Sequence, residues 1–144
     1  NACFLEKEQS VEIITSIENG RVPVTVMQII GNIDSTTYDA FTLKANELIH
    51  DGAHHILVDL SQSPFISSAG LRTIHGLVKK LRTLNSDTDL SEAEYKKRIS
   101  TGAYKSPHIK LLNLSQETYT AFTLSGFDMF IETYTDKATA LASF

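Results

Sequence analysis

Cysteine is almost absent from this chain of 144 residues. Cys3 stands alone, so no intramolecular disulfide can form, which suits a reducing, cytoplasmic setting. Long hydrophobic runs are missing too. No apolar stretch approaches the roughly 18 to 20 residues that cross a bilayer, and the opening NACFLEKEQS lacks the apolar segment of a signal peptide. No direct membrane contact is therefore expected. Excess positive charge is also lacking: the net charge is -4 and the pI about 5.7, which argues against a nucleic-acid binder with its basic stripe. The runs Lys79-Lys80-Leu81-Arg82 and Lys96-Lys97-Arg98 sit among polar residues at helical spacing and read as solvated helix faces.

What is present is ordinary globular material, 42% hydrophobic and 21% charged. The chain does not begin with methionine, so Asn1-Ala2 is compatible with a tag scar, behind which a targeting or membrane segment has been removed. Residues 1–10 read as an N-terminal extension and 11–144 as one domain, since no repeat or low-complexity linker divides them.

Two runs rich in β-branched residues, Val11–Ser16 and Val22–Ile30, flank Asn19-Gly20, a strong hairpin signal. Gly31-Asn32-Ile33-Asp34 ends the second strand. Asp34 or Ser35 can cap a helix with apolar positions Tyr38, Phe41, Leu43, Ala45, Leu48 and Ile49, stopped by Asp51-Gly52. His55–Leu60 reads as a strand buried on both faces. A second helix follows Ser67-Ser68, with Leu71, Ile74, Leu77, Val78, Leu81 and Leu84 on its apolar face. Residues 85–107 are polar, with a plausible short helix near Leu90–Arg98, and form a surface insertion. Then come a strand at Ile109–Leu114, a helix opened by Ser115 and stopped by Gly126, a strand at Met129–Tyr134, and a terminal helix capped by Thr135. This alternation predicts an α/β fold: a single mixed, largely parallel β-sheet packed with amphipathic helices.

Enzyme chemistry finds little support. Ser67 and Ser68 are candidate nucleophiles, but the G-x-S-x-G elbow and a Gly-rich oxyanion loop are missing. His75 lies seven residues beyond Ser68 on one predicted helix, about two turns away and too far to act as its base. No metal site is expected. His54-His55 point to opposite faces of a strand, and Asp51-Gly52 breaks the helical spacing of His50 and His54. No P-loop is present, because Gly70 and Gly76 lack its spacing and its Gly-Lys-Ser ending.

The paired serines remain. A helix amino end carries free N–H groups and favours an anion, so a phosphate there would be stabilised and would repel a docked partner. Either serine can equally act as a plain helix cap, the commoner role. Local physics leaves both readings open.

The stretch ILVDLSQSPFISSAGL over 56–71 resembles the signature of STAS domains, the anti-sigma factor antagonist family. Gly31-Asn32-Ile33-Asp34 resembles the family's Gly-x-Leu/Ile-Asp element, and Asn113-Leu114-Ser115 its later strand-to-helix junction. The resemblance implies a non-enzymatic module without a cofactor. Its unmodified form binds an anti-sigma factor serine kinase of GHKL-type ATPase fold, which releases a sigma factor. Phosphorylation breaks the complex, and a PP2C-type phosphatase restores the active form. Anchored on Gly70-Leu71, the acceptor falls on Ser68, with Ser67 as the alternative. Ser67 occupies a position that often holds aspartate in the family, and Ala69 one that often holds serine or threonine.

The implied partner surface comprises Asp34, Ser67, Ser68, Ala69 and Arg72. Gly31, Asp59, Gly70 and Leu71 serve as motif and packing positions. Asp34 has capping of the first helix as its rival role. Residues 85–107 depart from the family's usually short connection and are expected at the end of the fold opposite Ser68. Two other readings stay open: a scaffold or regulatory STAS domain cut from a transporter or larger signalling complex, and a small enzyme with Ser68 as nucleophile.

Overall fold

The computed structural model describes residues 11–84, 93–94, 96–97 and 105–144. The N-terminal extension and most of the 85–107 insertion lie outside the described residues; within the insertion, Ala93, Glu94, Lys96 and Lys97 are helical.

Five strands form one sheet in the order β1-β2-β3-β4-β5. β1 (Glu12–Asn19) pairs antiparallel with β2 (Pro23–Ile30), in unbroken register from Glu12↔Ile30 to Asn19↔Pro23. The remaining neighbours, β3 (Ile56–Gln62), β4 (Ile109–Leu112) and β5 (Thr133–Tyr134), pair in parallel. Helices α1 (Tyr38–His50), α2 (Ser68–Leu84) and α3 (Gln116–Leu124) make the crossovers. Right-handed connections between adjacent parallel strands place all three on one face. The short α4 (Lys137–Ala142) packs on the other.

Strand alternation explains the two cores. Met27, Ile29, Ile56, Val58, Leu60, Ile109 and Leu111 face the three crossover helices, which contribute Phe41, Ile74, Leu77 and Phe122 among others. Val24, Val26, Leu57 and Leu112 face α4 through Ala140. β3 is buried on both faces as its composition predicts. Lys110 also points to the α4 side and is almost wholly buried. Its ammonium donates to Ser143 O at 2.9 Å and to Ser143 Oγ at 3.0 Å, and it pairs with Glu132 at 3.0 Å. It thereby ties the end of α4 to the sheet.

Several local expectations need correction. The hairpin forms, but Asn19 ends β1 and the loop is Gly20–Val22 rather than an Asn-Gly turn. Gly20 is required for another reason: a Cβ there would stand 2.9 Å from the carbonyl oxygen of Leu141 in α4. Leu43 and Leu84 are not core residues, being 70% and 53% exposed, because each falls off the buried stripe of its helix. The last strand shrinks to Thr133–Tyr134, since Phe127–Met129 closes into a 3-10 turn after Gly126. Asp136, not Thr135, caps the terminal helix by accepting from Thr139 N at 2.9 Å.

Candidate functional site

The site is built where the parallel strands end. β2 runs out at Ile30, and Gly31, at φ +111°, turns the chain in a conformation that favours glycine. The chain then forms one isolated parallel bridge, Ile33↔Ile66. Ile33 N donates to Phe65 O at 3.0 Å and Ser67 N to Ile33 O at 2.7 Å. This bridge places the Gly31–Asp34 segment alongside the turn into α2, so Asp34 and Ser67 follow paired residues. A third segment joins from α3, where Ser115 Oγ and Thr118 Oγ1 donate to Pro64 O at 2.7 and 3.1 Å. The Asn113-Leu114-Ser115 junction therefore braces the loop ahead of the serines.

The two serines have different jobs. Ser67 is half-buried and caps α2: its Oγ accepts from Gly70 N at 3.3 Å, and its carbonyl accepts from Leu71 N at 3.0 Å. Ser68 is the first helical residue and is exposed, and its hydroxyl has no hydrogen-bond partner among the described residues. The capping role belongs to Ser67, which leaves the Ser68 hydroxyl open to solvent.

Gly70 and Leu71 are packing positions. A Cβ on Gly70 would lie 2.6 Å from Ile66 Cγ2 and 2.8 Å from Ile33 Cγ2, closer than side chains tolerate. Only glycine lets α2 start so near the bridge. Leu71 is buried below it.

Asp34 does not cap α1 with its side chain. Thr37 holds the cap position without a side-chain bond, so Asp34 and Ser35 are both displaced from that expected role. The Asp34 carboxylate instead accepts from Thr36 N at 2.9 Å and Thr36 Oγ1 at 2.7 Å. These bonds, led by the Thr36 hydroxyl, hold its pKa below the ordinary carboxylate value and keep it ionised. Thr37 is buried and locks the turn, accepting from Asp34 N and donating to Asn32 O. No hydrogen bond or ion pair joins Asp34 to Ser67, Ser68 or Arg72 among the described residues. Asp59 also lies at the strand ends, but on the α4 side of the sheet, where it accepts from Ser61 N at 3.0 Å. It shapes the β3 exit rather than facing α2.

Arg72 is exposed one turn into α2. With Ala69, Thr73, Ser35 and Tyr38 it lines an open groove of about 470 Å³ between the starts of α1 and α2. Beside it Thr42 and Thr73 meet at 3.2 Å between the two helices, each also bonded to a carbonyl of its own helix. Sequence reading passed over Ser35, Tyr38 and Thr73 as site residues, because only tertiary packing brings the two helix starts together.

His75 stays clear of the serines. Its ring packs at a tilt against Phe127 and Phe130, with centroids at 5.8 and 4.8 Å. No group of three or more His, Cys, Asp or Glu among the described residues is placed to hold a metal ion, and none of the described helices is long and apolar enough to cross a membrane.

The fold has solved counterparts. A crystal structure of an anti-sigma factor antagonist from Mycobacterium paratuberculosis is similar at TM-score 0.68 and 19% identity, over 94% of each chain. The anti-sigma factor antagonist SpoIIAA in its unphosphorylated form gives 0.60 at 18% identity, over 88% of this chain and 92% of that one. The Bacillus cell fate determinant SpoIIAA in the phosphorylated form gives 0.55 at 18% identity, over 88% and 96%. At these identities the likeness is one of fold. No curated protein matches the chain in sequence. The STAS domain model matches residues 14–93, which span most of the hairpin, the Asp34 turn, β3 and the whole serine-bearing helix. The chain belongs to the STAS domain family.

Proposed function

We propose that this chain is an anti-sigma factor antagonist acting as a phosphorylation-switched binding module, with residues 11–144 as its working unit. The unmodified form binds an anti-sigma factor serine kinase of GHKL-type ATPase fold in the cytoplasm and so frees a sigma factor. Phosphorylation of Ser68 ends that binding, and a PP2C-type phosphatase reverses it. The observation that carries this reading is the division of labour at the helix start: Ser67 caps, and Ser68 presents an exposed hydroxyl with no hydrogen-bond partner among the described residues.

The chemistry of the surroundings supports a switch over a nucleophile. Among the described residues no base is bonded to Ser68, and His75 packs against Phe127 and Phe130 instead. A phosphate on Ser68 adds about -1.5 to -2 charges to a patch that already holds the ionised Asp34 turn. A partner seated on Asp34, Ser67, Ser68, Ala69 and Arg72 then meets both bulk and repulsion. Serine in place of the family's frequent aspartate at position 67 is chemically conservative for the helix, because both are strong N-caps. It keeps the cap and drops one negative charge beside the acceptor.

The test is a side-by-side capture from host lysate with immobilised wild type, Ser68→Ala and Ser68→Asp. Wild type and Ser68→Ala are expected to retain a GHKL-type ATPase, and Ser68→Asp to lose it. Equal retention by all three, or no such ATPase on any, overturns the proposal.

A further inference from the structure

The sheet has two unlike edges. β5 is two residues long and half-buried, whereas β1 is an eight-residue edge strand, EIITSIEN, with no bulge against β2. Natural edges are usually blunted by lysine, proline, a bulge or a cover. β1 has neither lysine nor proline, and it exposes Ile14 at 47% and Ile17 at 71%. Its outward hydrogen-bonding groups follow from the register. Thr25 N donates to His55 O, just ahead of β3, at 2.8 Å, so Thr25 turns its backbone groups away from β1. Its partner Ile17 therefore sits in a non-hydrogen-bonded pair and turns its own N–H and C=O outward. By alternation Thr15 and Ile13 do the same.

We infer that β1 is a homodimerisation edge that pairs antiparallel with β1 of a second copy, on a two-fold axis through Thr15. This register matches outward groups to outward groups: Thr15 with its own copy, and Ile13 with Ile17 of the second copy. Each such pair exchanges both backbone hydrogen bonds. It also sets Ile13 against Ile17 on the helix side of the joined sheet, twice by symmetry, covering the most exposed isoleucine of the strand. Ile17, with Thr15, Leu48 and Ala53, lines a groove of about 880 Å³, so the second copy's Ile13 adds an apolar wall there.

On the opposite face Glu12 meets Glu18 of the second copy. Glu18 is already paired with Lys137 of α4, which offsets part of the repulsion between the two carboxylates. A second copy thus supplies the apolar complement, at the cost of a partly neutralised carboxylate pair. Antiparallel joining also points the two Ser68 ends in opposite directions, so two partners can be engaged at once. The dimer does not depend on the switch at Ser68.

Sedimentation velocity and chemical cross-linking test this. Wild type is expected to double in mass across the micromolar to submillimolar range. Ile17→Lys, which places a charge at an already exposed position, should weaken association by roughly tenfold or more, because its ammonium would be desolvated against Ile13. In a Cys3→Ser background, Thr15→Cys should form a covalent dimer on mild oxidation, since directly opposed residues at such a pair lie about 5.5 Å apart at Cα. Leu43→Cys, more exposed than Thr15 and on α1, should not. A wild type that stays monomeric overturns the inference. So does a dimer that is insensitive to Ile17→Lys, or one in which Thr15→Cys cross-links no better than Leu43→Cys.

Discussion

The two ends of the sheet, one at the start of α2 and one beside the end of α1, present opposite solutions to the same packing problem. At the start of α2, three loops are braced by backbone and hydroxyl bonds around the Ile33↔Ile66 bridge, and the surface opening is small. Towards the far end of the sheet, a groove nearly twice as large lies between Ile17, Thr25, Leu48 and Ala53. Cavity size alone would place a site at the end opposite the proposed switch. A switch that is read by a protein partner needs a fixed backbone and an exposed side chain, and the braced end has both. A large opening beside a strand edge that has no paired neighbour among the described residues answers better to a subunit contact.

The sharpest way to break this comparison uses two glycines of one helix. Gly70→Val should be strongly destabilising, by about 1–3 kcal/mol or more, because the side chain must displace Ile66 and Ile33. Gly76→Ala, only six residues on, meets nothing within 4 Å and should stabilise by about 0.5–1 kcal/mol through better helix propensity. Urea unfolding monitored by circular dichroism measures both. Similar midpoints for the two variants would mean that the helix start is no tighter than its middle.

The serines sharpen the contrast further. Ser67→Ala removes the cap on Gly70 N and should cost about 1 kcal/mol. Ser68→Ala touches no hydrogen bond and should stay within about 0.5 kcal/mol of wild type. If Ser68→Ala were the more destabilising, the two roles would have to be exchanged, and with them the assignment of the acceptor.

Much of this was legible beforehand. The alternation of strands and helices followed from period-two and period-three-to-four patterning, and the STAS resemblance rested on residues 56–71, where strand, loop and helix start are contiguous in sequence. The errors have a common physical origin. Leu43 and Leu84 are apolar and in helical context, yet tertiary packing left them outside. Asn19-Gly20 signals a tight turn, but Gly20 is needed for the approach of α4, which joins residues more than a hundred positions apart. Asp34 is an excellent cap by type, and lost that place because Thr36 and Thr37 offered its carboxylate and N–H nearer partners. Which of two adjacent serines caps depended on a single bridge at Ile33, and no composition or spacing records that.

The smallest expected effect concerns pH, and it separates the two ends again. At the start of the sheet strands, His55 packs against His108 and Phe144. Burial holds its pKa below the ordinary 6.5, with help from the charges of His108, His54 and Lys110. The folded state therefore prefers neutral His55, while the unfolded chain takes up a proton near pH 6.5. Below that value unfolding binds protons, so stability is fully present above it and declines as pH falls towards the folded pKa. Asp34, at the other end, is depressed from an ordinary value of 3.8, so its contribution is lost only below that. His75 is also lowered, by burial and then Lys79, and acts in the same window as His55. Urea midpoints measured from neutral pH down to mildly acid conditions should fall in wild type. The fall should be shallower in His55→Asn and unchanged in Asp34→Asn. A slope that Asp34→Asn flattens and His55→Asn leaves intact would reverse the assignment, putting the acid sensitivity at the braced end.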